Sequence, residues 1–202
     1  MSIVSVIDYG MGNIGSVKNI LKYLGYKSNT IYTAKEVAKA DNIILPGVGN
    51  FKMAVKNIKK TEIDKALKYA VYEKKSKLLG ICLGMQLLLD YSEEGDCEGL
   101  GFIKGNVYKF KNINLNIPHM GWNTICLNNY MKEIFYKKNA RYYFVHSYYV
   151  KCEYEKDIMA TTEYGIKFHS AIKKENVIGV QFHPEKSNIY GMDFIKKYME
   201  MI

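Results

Sequence analysis

Arginine is almost absent: of 29 basic residues only Arg141 carries a guanidinium, and the rest are lysines. Surfaces that read nucleic acid rely on arginine forks and concentrated patches. The net charge of +9 is instead scattered, with small pairs such as Lys59-Lys60, Lys74-Lys75 and Lys137-Lys138. It reads as a solvated surface, and no nucleic-acid partner is expected. No apolar run approaches a membrane span, and MSIVSVIDYG lacks a basic region followed by a signal-peptide core. The expectation is a cytoplasmic protein with no membrane partner. The four cysteines, Cys82, Cys97, Cys126 and Cys152, are far apart with no C-x-x-C pair. Neither a disulfide framework nor a zinc site is suggested, and no metal is expected. YGMGN and PGVG do not form G-x-G-x-x-G, which argues against a dinucleotide cofactor. Repeats, low-complexity tracts and linkers are also lacking, so the 202 residues read as a single domain, 1-202.

What is present is a strand and helix alternation. IVSVID (3–8) reads as a buried strand, followed by a glycine-containing loop and a helix carrying Ile14, Val17, Ile20, Leu21 and Leu24, with Gly25 as its C-terminal cap. SNTIY offers a second strand, and Ile43 to Leu45 a third, stopped by Pro46 and two glycines. Helices are predicted around Met53 to Ile58 and Ile63 to Glu73, then a strand from Leu78 and a loop at SEEGDCEGLG. From Phe102 to about Ala171, the runs FIKGNVYKF, YYFVHSYYV, IMATTEYG and KFHSAI predict antiparallel strands or hairpins attached to one side of the sheet. VIGVQF returns as a buried strand, and Ile189 to Met201 closes the chain as a helix. The fold class is α/β, a mostly parallel central sheet flanked by helices with an added antiparallel β region. Active groups should gather at the carboxyl ends of its strands.

The organising stretch is LLGICLGMQLLL, 78–89, an apolar strand bending into an apolar helix at Cys82. Gly80 and Gly84 let the two backbones approach, and a thiolate at a helix N-terminus is favoured by the dipole. The plainer reading is a small buried cysteine in a glycine turn. At the other end of the chain, QFHPEKS places His183 and Glu185 two residues apart around Pro184; in an extended segment both face one way, so the carboxylate can orient the imidazole. Alternatively His183 merely closes the strand and Glu185 is exposed. Taken jointly, Cys82, His183 and Glu185 supply nucleophile, base and orienting acceptor. The glycines of PGVG leave N–H groups open to an oxyanion. Trp122, beside Met120, reads equally as a partner anchor or as a core residue. His119, His146 and His169 show no acid or metal partner and are expected to be structural.

GICLGMQ, QFHPEKS, PGVG, YGMGN, PHMGWN and YFVHSYYV, found between about Ile3 and Phe194, resemble the glutaminase subunits of imidazole glycerol phosphate synthases, class I triad glutamine amidotransferases of histidine biosynthesis. The resemblance implies that Cys82 attacks the side-chain amide of glutamine, His183 shuttles protons and Glu185 holds the histidine. It also implies N–H groups of Leu83 and the Val48 to Gly49 region for the oxyanion, and Gly47, Gln86, Glu94, Ser147 and Tyr148 for the substrate amino acid. Asn13, Met120, Trp122 and Lys186 match positions facing a cyclase partner, a (β/α)8 barrel that uses the ammonia to make imidazole glycerol phosphate and an aminoimidazole carboxamide ribotide. No cofactor is implied.

Lys109 stands where the family more often has arginine. ATTEYGIKFHSAI is closer to a divergent branch found with cell-surface sugar pathways, in which the ammonia would serve amidination of a sugar. Both share glutamine hydrolysis. A related-fold cysteine hydrolase would often place histidine directly after the nucleophile, where this chain has Leu83, and a non-catalytic binding module would need no such triad.

Overall fold

The computed structural model describes residues 3–111, 113–128 and 140–201; the Lys137-Lys138 pair lies outside the described residues. β1 (Val4–Ile7) is buried throughout, and Asn13 caps α1 (Ile14–Tyr23) by accepting the Ser16 N–H at 3.2 Å. Gly25, at φ +82, leads into β2 (Ser28–Ile31). A helix the sequence reading missed comes next: α2 (Ala34–Lys39) begins on a capping box in which Thr33 Oγ1 accepts from Glu36 N and the Glu36 carboxylate accepts from Thr33 N. β3 (Asn42–Gly47) runs past its expected stop, for Pro46 and Gly47 still pair with Ile81 and Cys82. Proline is tolerated there because the pairing with β1 ends at Ile44, leaving a neighbour on one side only.

α3 (Phe51–Lys60), α4 (Ile63–Tyr72) and β4 (Lys77–Cys82) follow as expected, but α5 (Leu83–Leu87) is only five residues long. The stretch expected as a loop after it holds a small hairpin, β5 (Tyr91–Ser92) and β6 (Cys97–Glu98). β7 (Gly105–Lys109), β8 (His119–Thr124), β9 (Cys126–Leu127), β10 (Arg141–His146), β11 (Tyr148–Cys152), β12 (Ile158–Tyr164), β13 (Ile166–Lys174), β14 (Val177–Val180) and α6 (Asn188–Glu200) complete the described elements.

The order β2-β1-β3-β4-β14 is parallel throughout. Antiparallel pairing then continues outward through β13, β11 and β7, so most of the expected attachment is a prolongation of the same sheet. Only β8 and β10 stand apart as a two-stranded sheet among the described residues. The run YYFVHSYYV therefore divides at Ser147, one half in each sheet.

Side chains of the parallel strands alternate between two cores, as period-two geometry requires. Ile43, Leu45 and Leu78 pack with Val37, Phe51, Ile58 and Leu67 of α2, α3 and α4. Val4, Val6, Ile44, Leu79 and Ile81 pack with Val17, Leu21, Phe194 and Ile195 of α1 and α6. The second core reaches under the small sheet, where His119 stacks on Phe144 at 4.8 Å and His146 meets Phe168 edge-on at 5.2 Å.

These histidines are partners of each other: His119 Nδ1 lies 2.9 Å from His146 Nε2, and His146 Nδ1 lies 2.7 Å from the Tyr148 carbonyl. Burial pushes His119 down to about 4. It pushes His146 down to about 3; the Tyr148 carbonyl opposes this, and His119 and His183 add to it. Both rings are neutral at pH 7, and a carbonyl only accepts, so His146 carries its proton on Nδ1 and His119 donates to its Nε2. His169 Nδ1 accepts the Cys152 N–H at 2.8 Å, and burial, then Lys151 and Lys167, push it down to about 4.

Two measurements check this account. A Cβ on Gly84 would stand 1.8 Å from the Leu45 carbonyl oxygen, whereas one on Gly15 in α1 meets nothing within 4 Å. Thermal melts should show Gly84→Ala losing more than the roughly 1–3 kcal/mol of ordinary overpacking, and Gly15→Ala gaining about 0.5–1 kcal/mol. Three rings with lowered pKa refuse protons that the unfolded chain takes up below its ordinary histidine value of about 6.5. Stability should therefore fall as pH drops from about 6.5 towards 4, and His169→Gln should make that acid slope shallower.

Candidate active site

The elbow at Cys82 is set by backbone proximity. Cys82 takes φ 55 and ψ −111, outside the regions open to an L side chain without cost, and such a residue carries on the order of 1–3 kcal/mol of strain. The strain is held by packing: α5 lies so close on the sheet that a Cβ at Gly80 would come 2.6 Å from the Gly84 carbonyl oxygen. The same closeness leaves the sulfur side chain at the rim of a cleft of about 330 Å³. With only five residues, α5 contributes less dipole than the sequence reading assumed.

β14 is the neighbour of β4 in register, Val180 beside Ile81. The chain beyond Val180 therefore passes Cys82, and the His183 N–H anchors to the Tyr143 carbonyl at 2.9 Å. Ser187 ties the following turn to β10, donating to the His183 carbonyl at 2.6 Å and accepting the Tyr143 N–H at 3.0 Å. Glu185 does not reach His183 through an extended segment, as the spacing suggested, but from a 3-10 turn over Pro184–Lys186. Its Oε1 is 2.7 Å from His183 Nδ1, and both side chains are 2% exposed. Burial works against a charged His183, but Cys82 first and then Glu185 outweigh it and hold the ring well above the usual histidine range. Nε2 of His183 is buried with no hydrogen-bond partner within normal reach among the described residues. Cys82 and His183 line the same cleft.

The other expected residues divide. Val48, Gly49, Leu83, Gln86, Glu94, Ser147 and Tyr148 all line the cleft. Gly47 is not among its lining residues: it pairs with Cys82 and is packed behind the wall, where a Cβ would sit 2.7 Å from Tyr9 Oη and 2.8 Å from Gly84 N. Glu94 is fixed by the Phe51 N–H at 3.1 Å and Asn50 Nδ2 at 3.2 Å, and burial, opposed by those two bonds, raises its pKa. Gln86 Nε2 donates to the Tyr148 carbonyl at 3.0 Å and to Gln181 Oε1 at 3.1 Å, so what it offers a ligand is Oε1, an acceptor. Missed by the sequence reading were Pro118, Val145 and His146, which also line the cleft, and Gln181, which reaches the sulfur from below. The position of Gln181 one residue past a buried strand was the available signal.

Asn13, Met120, Trp122 and Lys186 lie outside the cleft. Met120 is 60% and Trp122 39% exposed, which resolves the choice for Trp122 in favour of the surface. Trp122 meets Tyr143 edge-on at 6.3 Å, and Lys186 Nζ stands 5.8 Å from the same ring, so the half-buried Tyr143 joins the exposed Trp122 and Lys186 in one patch, with Met120 on the same face of β8. Lys109 is exposed and gives its main-chain N–H to Glu93 at 2.7 Å. Among the described residues no three His, Cys, Asp or Glu side chains gather as metal ligands, and no helix is long and apolar enough to cross a membrane.

The family model for glutamine amidotransferase class-I matches residues 5–198. The chain is 46% identical over 200 residues to imidazole glycerol phosphate synthase subunit HisH 2 of Methanococcus maripaludis, with 98% of each chain covered. It is 42% identical over 204 residues to subunit HisH 1 of Campylobacter jejuni, covering 98% of this chain and 100% of that one. The crystal structure of a glutamine amidotransferase aligns with TM-score 0.75 at 18% identity over 98% of this chain and 97% of its own, a likeness of fold. With the cysteine elbow and the strand order already described, these matches place the chain among the class I glutamine amidotransferases, and within them it belongs to the family of imidazole glycerol phosphate synthase HisH subunits.

Proposed function

We propose that the chain, acting as one amidotransferase unit in the cytoplasm, hydrolyses glutamine through Cys82, His183 and Glu185 and hands the ammonia to a cyclase with a (β/α)8 barrel, its partner in a heterodimer. The observation that carries this is that His183, held by the buried Glu185 at 2.7 Å, lines the same cleft as Cys82. Sγ of Cys82 attacks the side-chain carbonyl carbon of glutamine, and His183 Nε2 gives its proton to the departing nitrogen as the C–N bond breaks. Water then attacks the thioester, His183 takes its proton, and glutamate leaves. N–H groups of Leu83 and of Val48 to Gly49 receive the oxyanion, each such donor being worth about 3 kcal/mol in the transition state. Glu94 and the acceptor oxygen of Gln86 suit the ammonium of the substrate amino acid; Ser147 and Tyr148 complete that end, whereas Gly47 acts through packing.

The exposed patch of Met120, Trp122 and Lys186, with Asn13 at the start of α1, is read as the partner face. The membership in the HisH family supports a cyclase that makes imidazole glycerol phosphate and the aminoimidazole carboxamide ribotide. A sugar-amidating synthase is the other acceptor consistent with the same half-reaction, and the captured partner distinguishes them.

Glutaminase assays with and without the cyclase should give hydrolysis that rises with the partner. Cys82→Ala should fall roughly 10⁴-fold or more; full activity in that variant would end the proposal. Trp122→Ala should weaken partner binding about 30-fold, the effect of losing a 2 kcal/mol anchor, while leaving the thermal melt unchanged. Capture from the native cell should return a cyclase barrel, and recovery of a sugar-amidating enzyme instead would transfer the ammonia to that pathway.

A further inference from the structure

Gln181 is fully buried, lies outside the cleft, and has its amide between two polar neighbours: Oε1 is 3.1 Å from Gln86 Nε2, and Nε2 is 3.7 Å from Cys82 Sγ. The hydrogen-bond network fixes which end of each amide faces which neighbour. The Tyr148 carbonyl can only accept. Gln86 approaches it at 3.0 Å, so the atom there is Nε2. That same nitrogen is the atom facing Gln181, so Gln181 must present its oxygen to Gln86 and is left with its N–H groups for the sulfur. The Tyr148 carbonyl is itself held from the other side by His146 at 2.7 Å. Every orientation in the chain from His146 to the sulfur is thus fixed by one main-chain oxygen.

We propose that Gln181 is a positioning residue whose side-chain N–H, oriented by Gln86, holds the Cys82 sulfur and favours its thiolate. Also near the sulfur are the Val145 carbonyl at 3.9 Å, an acceptor that suits only the protonated thiol, and two titratable neighbours, the His183 ring, which favours the thiolate as Gln181 does, and the buried Tyr9 hydroxyl. Gln181 can donate to sulfur in both states, and a donor strengthens against a negative acceptor. The β4–β14 register explains the placement, since the residue after Val180 comes beside the residue after Ile81. The inference rests on Cys82 as nucleophile, but it concerns the sulfur itself and is read without turnover.

The test follows alkylation of Cys82 by iodoacetamide against pH in the full-length protein, resolved by peptide mass, with the buried Cys152 as internal standard. Gln181→Met keeps length and bulk and removes the donor. The alkylation midpoint should rise by about one pH unit, lowering the rate about tenfold at pH values below the native midpoint. With the partner present, kcat for glutamine should drop while KM stays. Mere loosening of the core would instead speed both Cys82 and Cys152, and that result, or an unmoved midpoint, overturns the proposal. If Gln181→Met does not fold, the native protein decides: the Gln181 side-chain amide resonances should titrate with the Cys82 midpoint and stay constant in Cys82→Ala. Constant resonances in the native protein would refute the proposal. Loss of the Gln181 effect with glutaminase still dependent on Cys82 removes this inference alone; glutaminase surviving Cys82→Ala removes the functional reading.

Discussion

The parallel pairing of β4 with β14 is the constraint on which the site depends. It joins segments about a hundred residues apart, with Gly80 facing Gly179 and Ile81 facing Val180. The facing glycines are a packing device: a Cβ on Gly179 would stand 2.7 Å from Met85, as one on Gly80 would clash with Gly84. α5 lies in the shallow trough they leave, and that close seat holds Cys82 in its strained conformation. The same ladder delivers Gln181 beside the sulfur and His183 just beyond. Closing so long a loop costs several kcal/mol of chain entropy, offset by the burial of β14 and of β4 from Leu78 onward, each apolar contact adding its share.

The electrostatics of the site come from unequal environments for the same ring. His119 and His146 sit among phenylalanines with neutral partners, and burial above all keeps them uncharged. His183 is buried too but faces Cys82 and Glu185, and these reverse the sign of the effect. The His183–Glu185 pair is a weak source of stability, because removing two charges from water costs about as much as their attraction returns. Glu185 Oε2 even remains buried without a hydrogen-bond partner among the described residues. A cost of that kind fits the chemical role proposed for the pair.

Much of this was legible in the sequence, because the elbow at Cys82 is a local pattern that follows from its two glycines, and the His–Pro–Glu spacing marks the pair even though a 3-10 turn and not an extended segment joins it. The two glycines around Cys82 act as the spacing indicated. What stayed illegible depends on partners remote in the chain. Pro46 looks like a strand stop until the end of β1 beside it is known. YYFVHSYYV reads as a strand or a hairpin of one sheet, and nothing local says that Ser147 is where the chain passes from one sheet to another. His119 and His146 are 27 residues apart and become partners only through the β8–β10 ladder. Gln181 showed no motif of its own, and Gly47, close in sequence to the lining residues Val48 and Gly49, is turned into the packing behind them.

β8 divides its six residues between two faces. His119, Gly121 and Asn123 turn inward, and Asn123 Nδ2 donates to His119 at 3.2 Å, while Met120, Trp122 and Thr124 face out. Because the side-chain period is two, an insertion or deletion of one residue in this strand would exchange its faces, burying the indole and bringing the imidazole into water. Length polymorphism here is therefore closed to the chain from both sides at once.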